Sequence, residues 1–153
     1  MRKFLIALLW MTTFRAVAQE ISTKYLKEEA FEGVIFPKEY KALHANAQRF
    51  TPTKEEIAFV ELAIKNQLPL LVGTQRHTPD IYTNLPRYRR QYFGYVDNKG
   101  NKIIYVNCFW GEKNMPNWRK SEVTVDDGGS YYWQVKVNLA TRKLFALNIN
   151  GSA

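Results

Sequence analysis

The residues best suited to nucleophilic chemistry in this sequence are one cysteine and two histidines. Cys108 with His44 or His77 could form a thiolate–imidazole pair, because a neighbouring imidazole lowers the pKa of a thiol and activates it. Cys108, however, lies on the apolar parity of a predicted strand, where a free cysteine packs as a small hydrophobic residue. The pattern favours a core role, and a hydrolase using Cys108 is the less favoured alternative.

Metal-binding and paired-carboxylate patterns are weak. The lone cysteine and the two histidines are too widely spaced for a zinc site. The run Asp126–Gly129 lacks the alternating oxygen ligands and distal glutamate of a calcium-binding loop, so it predicts a turn. Glu55, Glu56 and Glu61 are expected on the solvent side of a helix. We therefore predict no metal, no cofactor and no enzymatic activity.

Residues 87–92, at the start of a predicted strand, interleave positively charged side chains with aromatic ones. Such a pattern can grip phosphates while the rings stack on bases, but charge on an edge strand also discourages aggregation between sheets. The export signal described below favours the edge-strand interpretation over nucleic-acid binding. An anionic glycan or an acidic protein partner would use the same residues. The candidate binding residues of this segment are Arg87, Arg89, Arg90 and Tyr92.

The stretch Ser130–Ile149 has the strongest strand signal in the chain. Its first half alternates apolar and polar residues, which a strand requires when one face is buried and the other is wet. A polar break at residues 140–142 predicts an antiparallel hairpin. The residues expected to face the core are Trp133, Val135, Val137, Phe145, Leu147 and Ile149, and Tyr131 and Leu139 share the parity of the first three. The candidate binding residues on the opposite, exposed face are Tyr132, Gln134 and Lys136, with Tyr105 from a neighbouring strand.

One clear helix precedes the strands. Thr53 followed by Glu56 forms a capping box, and Thr51 with Pro52 is an alternative start. Pro69 is expected to end the helix. The predicted buried stripe consists of Ile57, Val60, Ala63, Ile64 and Leu68.

Further strands are predicted at Arg87–Val96 and Lys102–Trp110, joined by a turn at residues 97–101, with a short one at Val123 and Val125. In the second of these, Ile104, Val106, Cys108 and Trp110 are expected to face the core. The loop at residues 111–121 has Met115 and Trp118 as possible anchors. Ser22–Glu32 could open as a short helix, and Val34–Phe36 is too short to classify.

One helix followed by four or five antiparallel strands predicts an α+β fold with the helix packed on one face of the sheet. This is the layout of cystatin-like proteins, and a small β-barrel is the alternative. Residues 134–138 also resemble the Gln-x-Val-x-Gly loop of cystatins. Asn138 replaces the final glycine and the run lies within a strand, so the inhibitory role is not carried over.

The amino terminus resembles an export signal. Arg2 and Lys3 precede an apolar run of about ten residues, and Ala16-Val-Ala18 is a cleavage pattern before Gln19. Removal of residues 1–18 would lower the net charge from +8 to about +5. The predicted organisation is a signal peptide at 1–18, a partly ordered arm at 19–48 and one α+β domain at 49–153. No transmembrane segment is expected in the mature chain, because the apolar run is shorter than the ~20 residues that span a bilayer.

A wider resemblance rests on two blocks, YRRQYFGYVDNKGNKIIYVNCFW and DDGGSYYWQVKVNLATRKLFALNINGSA. Their Arg-Gln-Tyr strand and Asp-Gly-Gly turn before a closing hairpin resemble a family of small, exported, uncharacterised bacterial proteins. The resemblance implies a bacterial, exported, self-contained domain and no particular activity. Together these observations predict a secreted or periplasmic, non-enzymatic binding module that engages a protein, peptide or glycan through the exposed sheet face. The alternative is an inhibitor of a secreted protease or lysozyme.

Overall fold

The computed structural model describes residues 22–42, 48–74, 78–111 and 115–151. The predicted signal peptide at residues 1–18 and its junction with Gln19 lie outside the described residues, as do His44 and His77.

The described chain forms one helix and a mixed open sheet of seven strands. The elements are β1 (Lys24–Lys27), β2 (Glu32–Phe36), β3 (Arg49–Phe50), α1 (Lys54–Val72), β4 (Arg89–Val96), β5 (Lys102–Phe109), β6 (Tyr132–Asn138) and β7 (Lys143–Ile149). The order across the sheet is β1-β2-β4-β5-β6-β7, with β3 pairing with β4. Two short 3₁₀ turns, Leu85–Arg87 and Gly129–Tyr131, precede β4 and β6.

The two strands β2 and β3 lie end to end along one side of β4. β2 pairs in parallel with Arg89–Phe93, and β3 pairs antiparallel with Gly94 and Tyr95. The connection between the parallel strands β2 and β4 contains α1, as parallel pairing requires a crossover.

The α+β class with one helix on a sheet is confirmed, whereas the prediction of four or five strands, all antiparallel, is wrong. The additional strands β1 and β2 lie where a short helix and an unclassified run were expected. Val34–Phe36 is buried on both faces, so it has no alternation that would mark it as a strand. Among the described residues the sheet is open, so the barrel alternative is also wrong.

Helix α1 begins as predicted and ends later. The Thr53 side chain accepts a hydrogen bond from the Glu56 N–H, and the Glu56 side chain accepts one from the Thr53 N–H, which confirms the capping box and not the alternative start at Thr51. The predicted stripe from Ile57 to Leu68 is buried. Pro69 lies inside the helix on an exposed face, and Gly73 ends it at a φ of 61°.

Hydrophobic cores cover both faces of the sheet. The core beneath α1 contains the apolar residues predicted for β5 and β6, including Ile104, Val106, Trp133 and Val135. The second core, on the outer face, is covered by the segment 115–126, and Trp118 anchors this segment as predicted. Val123 and Val125 lie in this segment and do not form the predicted strand. The outer face is therefore covered over most of β4 and β5 and is more exposed over β6 and β7.

One core prediction for the closing hairpin, that of Phe145, is wrong. Val135 of β6 faces two residues of β7, because the pairing passes from Gln134–Asn148 to Lys136–Phe145. This bulge, with Ala146 at a φ of 52°, changes the parity within β7. Leu144 is buried and Phe145 is 37% exposed, whereas Leu147 and Ile149 beyond the bulge pack against the core as predicted. Tyr131 belongs to the preceding 3₁₀ turn. Its side chain is exposed, and its ring contacts that of Trp110.

Candidate functional site

A row of four carboxamide side chains crosses the outer face of the sheet. The pairing registers place Gln91 of β4 opposite Asn107 of β5, Asn107 opposite Gln134 of β6, and Gln134 opposite Asn148 of β7. We call these four residues the amide row. Because opposite residues on paired strands point to the same face, four adjacent strands present one continuous line of amides.

Hydrogen bonds join successive members of the amide row. Asn107 Nδ2 donates to Gln91 Oε1 at 3.1 Å, Gln134 Nε2 approaches Asn107 Oδ1 at 3.5 Å, and Asn148 Nδ2 donates to Gln134 Oε1 at 2.7 Å. The row passes from a fully buried end at Gln91 to an exposed end at Asn148. The amide row is therefore fixed by the core at its Gln91 end and accessible to solvent at its Asn148 end.

The buried end of the row fixes the covering segment. Gln91 Nε2 donates to the carbonyls of Trp118 and Ser121 at 2.6 and 2.7 Å, and Gln91 Oε1 accepts from the Val123 N–H at 2.8 Å. Asn107 Nδ2 also donates to the Val123 carbonyl at 2.7 Å. These bonds hold a segment without secondary structure in one position beside the row.

A polar cleft of about 320 Å³ lies between the exposed end of the row and this segment. Asn150 supports it from the edge, because its amide nitrogen donates to the carbonyls of Val125 and Asp127 while its oxygen accepts from Gln134 Nε2 at 3.2 Å. The side chains that give the cleft its character are those of Tyr105, Asn107, Asp126, Gln134, Asn148 and Asn150.

The structure separates the predicted residues of the exposed sheet face. Gln134 lines the polar cleft, and Tyr132 and Lys136 flank it as half-buried side chains on the same strand. Lys136 Nζ lies 5.9 Å from the centre of the Tyr95 ring. Tyr105 was expected to be exposed, but it is only 8% exposed because it packs in the outer core with Phe93 and Trp118. It reaches the cleft as part of its wall.

The predicted arginine segment is divided between the two faces of the sheet. A strand alternates, so Arg89 is on the outer face while Arg90 and Tyr92 are beneath α1. Arg90 is 2% exposed and Tyr92 is fully buried, so neither side chain is presented on an exposed surface. Their side chains instead meet Glu61 of α1, whose carboxylate was expected in solvent and is 14% exposed.

Glu61 is a polar residue that the sequence analysis placed on the wrong side of the helix, and the amides of Gln91, Asn107, Asn148 and Asn150 were not among the predicted site residues. Its Oε1 lies 2.9 Å from Arg90 Nε and accepts a hydrogen bond from the Tyr92 hydroxyl at 2.8 Å. Arg90 also donates to the carbonyls of Tyr88 and Leu85. Burial raises the pKa of the Glu61 carboxyl, although Arg90 and Tyr92 favour its charged form. The sequence signal for this burial was that Glu61 directly follows Val60 of the buried stripe.

Arg87 and Arg89 meet in a second polar pocket of about 300 Å³, the arginine pocket. The Arg87 guanidinium lies 4.8 Å from the centre of the Trp110 ring, a cation–π distance. Arg89 Nε lies 3.6 Å from Glu32 Oε2, so its charge is partly compensated. These two arginines are the members of the predicted segment that remain accessible to an anion.

A third concavity, the apolar groove, has a volume of about 590 Å³. It lies along α1, on the side of the sheet opposite to the polar cleft. Its apolar lining includes Phe31, Ala58, Leu62, Ile64, Tyr82 and Leu85, and its polar lining includes Glu61, Lys65 and Arg90.

The Cys108 thiol is fully buried beneath α1, and burial raises its pKa. A thiol of this kind is poorly ionised at neutral pH, which agrees with its predicted place in the core. Among the residues that the structure describes, no group of three or more histidine, cysteine or acidic side chains is arranged to hold a metal ion. The same part of the chain has no helix with the length and apolar character needed to cross a bilayer.

The fold and these surfaces define an α+β protein with one helix on a mixed open sheet, carrying a polar cleft, an arginine pocket and an apolar groove. Comparison with protein-family models, with curated proteins and with solved structures found no match.

Proposed function

We propose that this protein is an exported, non-enzymatic binding module that engages a glycan through the polar cleft on the outer face of its sheet. The observation that carries this proposal is the amide row, with its exposed end at Gln134 and Asn148. A carboxamide both donates and accepts hydrogen bonds, as a sugar hydroxyl does, so neighbouring amides can bind neighbouring hydroxyls.

The rigidity of the cleft supports a binding role. Each amide is held by a neighbour or by a backbone carbonyl, and the covering segment is fixed by Gln91 and Asn107. A site already held in its binding geometry loses little conformational entropy when a ligand arrives. The Tyr105 wall adds a partly apolar surface against which a sugar ring can pack.

Export is supported by the predicted signal peptide, and the absence of a catalytic role is supported by the buried Cys108 thiol. The arginine pocket is a separate concavity, in which Arg87, with no ion-pair partner among the described residues, can bind an anionic group. Inhibition of a secreted protease or lysozyme stays a prediction.

A glycan array followed by calorimetry with the glycan that binds most strongly tests this function. Asn148→Ala, at an exposed position, should weaken binding about threefold to tenfold, since one or two hydrogen bonds are lost. Asn98→Ala is the matched control, because it removes an exposed amide from the distant turn between β4 and β5. Equal binding by wild type and Asn148→Ala, or failure to bind any glycan on the array, would refute the proposal.

A further inference from the structure

The apolar groove is a second site that the proposed glycan function does not use. It lies on the helix side of the sheet, and its volume of about 590 Å³ falls within the ~300–1,000 Å³ of small-molecule pockets. Its lining leaves large apolar side chains in water, with Leu62 55% and Tyr82 43% exposed. An apolar ligand in the groove would cover both side chains and release the water around them.

Three charged residues contribute to the groove, and their balance is positive. Glu61 and Arg90 compensate each other at its base, where the carboxylate and guanidinium are 2.9 Å apart. Lys65 is exposed one turn further along α1, and among the described residues it has no ion-pair partner. The groove therefore has an apolar body with one uncompensated cation at its margin.

We propose that the groove binds an amphiphile of the fatty-acid type, with a single apolar chain and an anionic head. The chain would lie against Phe31, Ala58 and Leu62, where each buried methylene contributes favourably. The carboxylate would pair with Lys65. An ammonium head is disfavoured, because Lys65 and Arg90 outnumber the single carboxylate of Glu61.

The inference is tested by calorimetry on the full chain with decanoate, 1-decanol and decylamine, each below the concentration at which it aggregates. Decanoate should bind most tightly and decylamine least. Lys65→Gln should weaken decanoate binding about threefold and leave 1-decanol binding unchanged, as expected for one exposed ion pair. Lys99→Gln, which removes an exposed lysine from the turn between β4 and β5, is the control for net charge.

A second variant tests the position of the chain. Ala58 is exposed on α1, so Ala58→Trp fills the groove without disturbing the buried stripe, and it should weaken binding of all three probes at least tenfold. Asn148→Ala, in the polar cleft, should leave decanoate binding unchanged, which separates this inference from the glycan proposal. Tighter binding of decylamine than decanoate, or no loss of binding in Ala58→Trp, would overturn the inference.

Discussion

Glu61 joins the helix to the sheet through a single carboxylate oxygen. Its Oε1 contacts both Arg90 and Tyr92, which are two residues apart on β4 and therefore lie on the same face. Breaking such a buried pair by removing one partner typically costs about 3 to 5 kcal/mol, because the remaining charge is left without compensation. The pair therefore fixes α1 over β4 at the base of the apolar groove.

The free energy of unfolding should depend on pH through this carboxyl. Burial raises its pKa above the ordinary value of 4.5, so the folded protein binds the proton more tightly than the unfolded chain does. The part of the stability that depends on proton binding at Glu61 is then fully present below pH 4.5 and is lost as pH rises through the folded pKa.

Urea unfolding of wild type and Glu61→Gln, from below pH 4.5 upward, isolates the pH-dependent contribution of Glu61, because glutamine does not titrate. The free energy of unfolding of wild type minus that of the variant should decrease as pH rises, whereas a difference that is constant or increases with pH would contradict the assignment. Other carboxyls, such as that of Glu32, whose pKa is lowered, are common to both proteins and cancel in the difference.

At the scale of elements, the bulge in β7 decides which side chains of the closing hairpin reach the core. Ala146 adopts a left-handed backbone conformation there, which costs a residue with a Cβ about 1 kcal/mol relative to glycine. We expect Ala146→Gly to raise the free energy of unfolding by about 0.5 to 1 kcal/mol. Thermal and urea unfolding measure the change.

Ala140→Gly is the matched control, because Ala140 is an exposed alanine in the turn between β6 and β7 whose φ is negative. This substitution should be neutral or destabilising, since glycine only adds freedom to the unfolded chain. Equal effects of the two substitutions would show that the bulge at Ala146 is not strained.

The elements also show which features of the fold and site could be predicted from the sequence. Helix capping and hydrophobic periodicity are local signals. They were enough to predict the start of α1 at Thr53, its buried face at Ile57, and the core-facing residues of β5 and β6 such as Trp133. Gln134 was assigned to the correct face by parity. The amide row was not predictable, because it depends on registers that join Gln91 and Asn148 across four strands. The bulge in β7 was also not predictable, because one extra residue shifts the alternation of side chains and nothing in the sequence indicates where it occurs.

In the molecule as a whole, the first two strands are integral parts of the sheet. β2 is buried on both faces and pairs with five residues of β4, while β1 covers its other edge. Phe36 and Phe93, one from each strand of this parallel pair, stack with ring centres 4.5 Å apart in the outer core. Residues before position 48 therefore supply part of the sheet and part of a core.

A chain that begins at Gln48 tests this dependence against a chain that begins at Gln19. Without β1 and β2, five pairing positions of β4 lose their partner and both faces lose apolar contacts from Val34–Phe36. An unpaired edge of that length promotes association between molecules. We expect the chain from Gln48 to aggregate or to lack a cooperative thermal transition, and the chain from Gln19 to retain one. A cooperative transition at a similar temperature in both would show that residues 49–153 form a stable domain without the first two strands.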